Sequence, residues 1–361
     1  MSTSSPPPPF EFLPLGAIIR TFLVGGPTNL NIVQNFPKQS HYVSHNGPFF
    51  GETIGRVANR IANGKISSLN NGKSYSLAKN NGENALHGGI VGWGKRVWEG
   101  PSPVGVREIP GLEGGKLEGG ESVRFTLRSE DGDEGYPGTV DVSVVYTVGV
   151  QKVDGKEVRV LGIEYEVKLV GDEVEETVVN VTNHSYFNLS GLPTIEGTEI
   201  TLCSTSYLPV DEGGIPTSSS TSPYPGLTAS KPFTLGLTEP DIDDCFIVDP
   251  SQASSIPLDT RSSPLTKLVT AYHPSTKVHL EVLSTEPAFQ FYTGKYIDVA
   301  EIQDADVEGG KVEKRGARSG FCVEPSRYVN AVNVDEWRGQ VVLKKGEVYG
   351  SRVVYKGWCD E

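Results

Sequence analysis

No stretch of this sequence approaches the ~18 consecutive apolar residues that a membrane-spanning helix needs, so no such span is expected. No run of Lys and Arg is present either, and 45 acidic residues against 32 basic ones leave a formal charge of −13. Nucleic acid and anionic membrane surfaces, which demand a basic track, are therefore excluded as partners. A phosphorylated ligand would need a local cluster of cations. Cys203, Cys245, Cys322 and Cys359 are scattered, with no CxxC pair and no His at zinc spacing. They read as isolated, reduced thiols, and no metal is expected. Neither a dinucleotide fingerprint nor a P-loop occurs, so no cofactor is expected. The first residues, "MSTSSPPPPFEF", lack the basic and apolar regions of a signal peptide, and the expected location is cytoplasmic.

An apolar fraction of 37% with 9% aromatics supplies a sizeable core, while 42 Gly and 25 Pro against one Met favour turns over helices. Period-two alternation marks half-buried antiparallel strands. It places Val123, Phe125 and Leu127 on one face of "SVRFTLR", Val140, Val142 and Val144 in "TVDVSVVYTV", and Ile163, Tyr165, Val167 and Leu169 in "IEYEVKL". "KVHLEVLS" and "GSRVVYKG" are weaker cases. Sustained helical periodicity is missing. Gly-, Pro- and Ser-rich stretches at 100–121, 212–232, 250–266 and 302–320 read as surface insertions, because strand patterns resume after each. The expected fold class is all-β, a large antiparallel β-sandwich with few or no helices. Residues 10–361 are expected to form one domain behind a disordered Ser/Pro-rich tail at 1–9.

Several segments hold more polar groups than turns require. "TNHSYFNLSG" sets His184 among Asn183, Ser185, Tyr186, Phe187 and Asn188 at the end of an apolar run. "GRVANRIANGKI" offers Arg56, Asn59 and Arg60; "NALHGGIVGWGKRVWEG" sets His87 before a Gly pair that lets backbone approach a ligand. "DIDDCF" contains Asp243, "PAFQFYTGKY" places Gln290 between two Phe, and "GFCVEPSRYVNAVN" ends an apolar run with Glu324. A carboxylate ending a buried strand costs free energy unless something pairs with it. Taken singly, each segment is explained by turns, salt bridges or a satisfied core histidine. Together they form the mixture of polar groups and aromatic faces that holds an uncharged sugar.

These segments, in this order, resemble the galactose mutarotase (aldose 1-epimerase) family from about residue 10 to about residue 356. "GRVANRI", "LHGG" and "NHSYFNL" are specific in combination. The resemblance implies a mutarotase-like β-sandwich fold and interconversion of the anomers of a free aldohexose such as galactose or glucose. It implies His184 as the general acid at the ring oxygen and Glu324 as the general base at the anomeric hydroxyl. It also implies Asn59, Arg60, His87, Tyr186, Phe187, Asp243 and Gln290 as sugar-binding residues. Two positions depart from the family pattern, Pro325 after the base and Asp244 after Asp243. The former is expected to forfeit one backbone hydrogen bond, and the latter bears on the preference among sugars. The chemistry needs His184 protonated while Glu324 is ionised, which ordinary pKa values of about 6.5 and about 4.3 allow near neutrality. The competing readings are a hexose-6-phosphate 1-epimerase of the same superfamily and a sugar-binding protein without catalysis.

Overall fold

Strands of alternating apolar residues bury one face only when paired against a second sheet, and the chain folds accordingly. The computed structural model describes residues 8–25 and 29–360. Of the tail expected at 1–9, residues 1–7 lie outside the described residues. Among the described residues, nine strands form one antiparallel sheet. Its order is Phe233–Thr234, Glu199–Leu202, Thr266–His273, Val278–Ser284, Tyr349–Cys359, Lys156–Leu169, Val140–Val153, Glu118–Ser129 and Glu99–Val106. Its inner face is the one read from periodicity: Val142 opposes Val167, Val144 opposes Tyr165, and Ile163 opposes Val353, all of them buried.

A second antiparallel sheet has the order Tyr186–Phe187, Phe321–Ser326, Ala288–Tyr292, Asp243–Ile247, Ser206–Tyr207 and Ser222–Pro223. Phe246, Phe289, Phe291, Phe321, Val323 and Phe187 project from one of its faces into the core shared with the nine-stranded sheet. The Phe187 ring meets Tyr355 of that sheet edge-on at 5.2 Å. Burying each such aromatic contributes roughly 1.5–3 kcal/mol, so this packing sets the register of both sheets. The architecture is a large β-sandwich, and its one α-helix among the described residues is Gln39–His45.

Three of the stretches read above as insertions supply strands: 212–232 holds Ser222–Pro223 of the smaller sheet, and 302–320 holds the paired strands Ile302–Gln303 and Lys311–Val312. Residues 100–121, read above as an insertion, supply most of the edge strand Glu99–Val106 and the start of Glu118–Ser129. An edge strand tolerates Pro101 and Pro103 because its outward N–H groups have no partner to lose.

The strands Ala288–Tyr292 and Phe321–Ser326 of the smaller sheet are tied together near their ends by an ion pair. Arg327 Nε lies 3.0 Å from Glu286 Oε2, and both side chains are fully buried. Tyr349 donates to the other Glu286 oxygen at 3.1 Å, and the guanidinium donates to the carbonyls of Pro257 and Leu258. Removing one partner strands a charge in the core. Arg327→Met is therefore expected to lower unfolding free energy by about 3–5 kcal/mol in urea titrations. Arg327→Met with Glu286→Leu should recover much of that loss.

Candidate active site

The face of the smaller sheet opposite its phenylalanines forms the floor of a cleft of about 930 Å³. Three register pairs place its groups: Gln290 opposes Glu324, Tyr292 opposes Cys322, and Asp243 opposes Tyr292. Because side chains alternate along a strand, Asp243, Gln290, Tyr292, Glu324 and Tyr186 all line the cleft. Four segments close the sides, 47–49, 59–63, 81–87 and 210–214, the second and third joined by the short paired strands Arg60–Ile61 and Ala85–Leu86, with Tyr296 at the rim.

His184 enters beside this floor from the short strand Thr182–Asn183. Its N–H donates to the Glu52 carbonyl at 2.9 Å, and its carbonyl accepts from Gly51 at 3.1 Å. Asn183 donates to the Gly51 carbonyl, while its own side-chain oxygen accepts from the Ser185 N–H and hydroxyl. The polar residues around His184 thus brace the turn that aims it. The ring packs against Phe49, Tyr186 and, edge-on, His87, at centroid distances of 5.5, 5.1 and 5.1 Å. Its Nε2 stands 3.5 Å from Glu324 Oε1, with both side chains about 5% exposed or less.

Asn59 and His87 both adopt left-handed backbone, φ 57° and 51°. This lets the Asn59 N–H donate to His87 Nδ1 at 3.2 Å while the His87 N–H donates to the Asn59 carbonyl at 3.0 Å. Gly88 follows because a Cβ there would sit 1.9 Å from the Gly55 carbonyl oxygen. Side chains then form a chain across the floor. Arg60 Nη1 contacts Asn59 Oδ1 at 3.4 Å, Asn59 donates to Gln290 at 3.1 Å, and Gln290 donates to Asp243 at 2.8 Å. The two Gln290 bonds fix which end of its amide faces which neighbour.

Some candidates lie elsewhere. Phe187 packs into the core on Phe321 and Tyr355 and does not line the cleft; it follows Tyr186 in the strand and so faces the opposite way. Asp244 likewise follows Asp243 onto the other face, where it interacts with Tyr224. Arg56 is buried, donating to the carbonyls of Pro137, Gly138 and Ser129. Residues that periodicity and composition did not single out complete the site. Lys95 sits 4.5 Å above the Phe49 ring and pairs with the buried Glu52 at 2.5 Å. Cys322 Sγ lies 3.4 Å from His184 Nδ1. Both belong to quoted segments, but only the fold brings them to the histidine.

Burial dominates the electrostatics. It pushes the Glu324 carboxyl up to about 8; the Asp243 carboxylate adds to the rise and the Arg60 guanidinium opposes it. Burial also lowers His184 to about 3, opposed by a contact with its own carbonyl and reinforced by the Lys95 ammonium. His87 is held well below the ordinary imidazole range by burial first, then by His184, Arg60 and Lys95. In the empty cleft near neutrality, the pair therefore holds one transferable proton, on Glu324. This reverses the arrangement expected from ordinary pKa values, because desolvation disfavours both charges at once.

His87, His184 and Glu324 bring potential ligand atoms within 4.8 Å of one another. A metal ligand nitrogen must offer a lone pair. His87 Nδ1 is already occupied by the Asn59 N–H, so the neutral ring carries its proton on Nε2 and presents a donor to the cleft. That donor set suits a hydroxylated ligand and does not suit a cation.

Comparison with known proteins points the same way. The aldose 1-epimerase family model matches residues 10–356. The chain is 40% identical over 329 residues to the bifunctional protein GAL10 of Pachysolen tannophilus, covering 89% of this chain but 42% of that protein. The chain spans less than half the length of such bifunctional relatives. It is 36% identical over 332 residues to the galactose mutarotase of Sus scrofa, covering 88% of this chain and 81% of that one. Among solved structures, a GalM/aldose epimerase homologue from C. elegans superposes with a TM-score of 0.75 at 24% identity, covering 98% of this chain and 96% of that one.

The raised Glu324 pKa has a consequence for stability. The unfolded chain releases this proton in the ordinary carboxyl range, whereas the folded protein keeps it until about pH 8. The contribution to stability is present below the unfolded value and is lost as pH climbs through the folded one. Glu324→Gln removes that dependence. Calorimetry should find the variant melting close to the parent at pH 5 and above it at pH 9; a variant melting below the parent at pH 9 would contradict the assignment.

Proposed function

The chain belongs to the aldose 1-epimerase family, and from that premise we propose that its cleft interconverts the α and β anomers of a free aldohexose such as galactose or glucose. The observation that supports this reading best is the placement of Glu324 and His184. Their facing atoms are 3.5 Å apart across one cavity and together hold a single mobile proton. Mutarotation needs a proton removed from O1 and one supplied to O5. Glu324 takes the first and His184 supplies the second, the C1–O5 bond breaks, and the open aldehyde forms. Rotation about C1–C2 and closure with the roles exchanged gives the other anomer. Each opening leaves Glu324 protonated and His184 neutral, and each closure reverses this. The empty cleft rests in the state that opening produces, so a cyclic sugar requires the proton to pass from Glu324 to His184 before its ring opens.

Around this pair, Asn59, Arg60, His87, Asp243 and Gln290 supply donors and acceptors for hydroxyls, and Tyr186 supplies a ring face. Among the described residues lining the cleft, Arg60 is the only Lys or Arg. A 6-phosphate would meet one guanidinium against Glu83, Asp211, Glu212 and Asp243, which disfavours the phosphate-ester reading. Glucose should be turned over far better than its 6-phosphate.

Polarimetry of freshly dissolved α-anomers tests the catalytic reading and separates it from mere sugar binding. Glu324→Gln and His184→Asn should each lower kcat by about 10²–10⁴-fold while leaving sugar binding largely intact. The double variant should lose far less than the product, because both groups serve one step. The pH profile of kcat/KM follows from the shifts. Activity needs one proton on the pair, so it should fall as pH rises past about 8, where Glu324 ionises. No acid limb should appear between about pH 5 and 7, because His184 takes up a second proton only near 3. A folded Glu324→Gln protein exchanging anomers at the parental rate would end the role assigned to that residue.

A further inference from the structure

A guanidinium among carboxylates ordinarily pairs with one of them, and the pair then presents little net charge to its surroundings. Arg60 shares the cleft lining with Glu83, Asp211, Glu212 and Asp243, yet the acceptors of its hydrogen bonds are neutral. Its Nε donates to Asn81 Oδ1 at 2.9 Å and its Nη1 to Asn59 Oδ1 at 3.4 Å. An arginine only donates, so both asparagines turn their carbonyl oxygens to it. Three of the four carboxylates are engaged elsewhere. Glu83 pairs with Lys79 at 2.5 Å, Asp211 accepts from the N–H groups of Gly213 and Ile215, and Asp243 accepts from Gln290.

Asn81 is itself held in place. Two backbone hydrogen bonds between Asn81 and Asn84 close residues 81–84 into a tight hairpin. The Asn84 side chain is buried; its oxygen accepts from the Asn63 N–H at 2.9 Å, and its amide donates to the Gly213 carbonyl at 3.0 Å. The hairpin thus fastens two walls of the cleft together. Gly214, with φ 75°, lies against the guanidinium, where a Cβ would sit 2.8 Å from Arg60 Nε. From Arg60 the hydrogen bonds run through Asn59 to Gln290, which opposes Glu324 in the sheet. We propose that Asn81 is a positioning residue that anchors the Arg60 guanidinium by a neutral acceptor, so that its charge stays uncancelled inside the cleft and acts on Glu324.

The charges around Glu324 show why a neutral acceptor matters. Burial pushes up Tyr186, Tyr292, Cys245 and Cys322, which stay protonated near neutrality, and His184 and His87 are neutral there. The Asp243 carboxylate favours the protonated form of Glu324, and the Arg60 guanidinium opposes it. A guanidinium drawn out to Glu83, Asp211 or Glu212 would leave Asp243 unopposed. Ionised Glu324 is the form that takes the proton from O1, so the anchor at Asn81 bears on the base. The inference rests on that role of Glu324, yet its ionisation can be followed without any sugar.

The test is the ¹³C carboxyl signal of Glu324 in the glutamate-labelled empty protein, assigned by its loss in Glu324→Gln and followed from about pH 5 to pH 10. The parental midpoint should lie at about 8. Arg60→Met should raise it by about 1 unit or more, and Asn81→Ala, which adds no charge, by about 0.5–1 unit. Asn81→Ala made in the Arg60→Met background should leave the midpoint where Arg60→Met alone puts it, because the anchor then has nothing to hold. The hairpin's backbone bonds do not involve the Asn81 side chain, so Asn81→Ala should melt near the parent. In the active protein the alkaline limb of kcat/KM should move up with the midpoint. A midpoint that stays or falls in Asn81→Ala would overturn the proposal. So would an equal rise with and without Arg60. The titration reads Glu324 whether or not anomers are exchanged, so failure here is distinguishable from failure of the catalytic reading.

Discussion

The pleat of four short strands is the constraint on which the site depends. Tyr186–Phe187, Phe321–Ser326, Ala288–Tyr292 and Asp243–Ile247 lie side by side. Their alternation sends Phe187, Phe321, Val323, Phe289, Phe291 and Phe246 into the core. It sends Tyr186, Glu324, Gln290, Tyr292 and Asp243 into the cleft. A slip of one residue in any pairing would exchange the two sets, burying carboxylates in a hydrocarbon layer and exposing phenylalanines to water. The register that positions the polar groups is thus held by apolar residues that never touch a ligand. The Glu286–Arg327 pair pins the ends of the two strands that carry Gln290 and Glu324.

The site runs against the interest of stability, and the surrounding structure absorbs this. Glu324 is buried beside another carboxylate, with only Arg60 in partial compensation. His184 is buried under the influence of an ammonium. Glu52 is pushed up to about 7 by burial although Lys95 and Asn46 bind it. Burial without full pairing raises the energy of the charged forms and leaves the pair with one proton, which rests on Glu324. A site with stronger counter-ions would be more stable and would hold its protons too firmly to exchange them. His87 and Asn59 illustrate another local cost, left-handed backbone at two non-glycine residues. The reciprocal hydrogen bonds between them offset it and fix one imidazole as a donor.

The alternation of Val140, Val142 and Val144, or of Ile163, Tyr165 and Val167, is a property of the chain itself. An antiparallel sandwich was legible from it because a period of two has no other half-buried solution. The polar segments around His184, His87 and Glu324 were equally legible as a set, since their composition departs from what turns need. Which neighbour faces the cleft was not: Tyr186 and Phe187 are adjacent, and the side each takes depends on the sheet that packs behind them. Asp243 and Asp244 differ for the same reason. Cys322, Lys95 and Glu52 carry no local mark, and their nearness to His184 comes from contacts between segments far apart in sequence. The order of the two pKa values was hidden as well, because desolvation is a property of the surrounding volume and no residue states it alone. The sequence by itself determined the strands and the inventory of reactive groups. Tertiary structure decided which face each group takes, which groups meet, and where the proton rests, because all three follow from packing between distant segments.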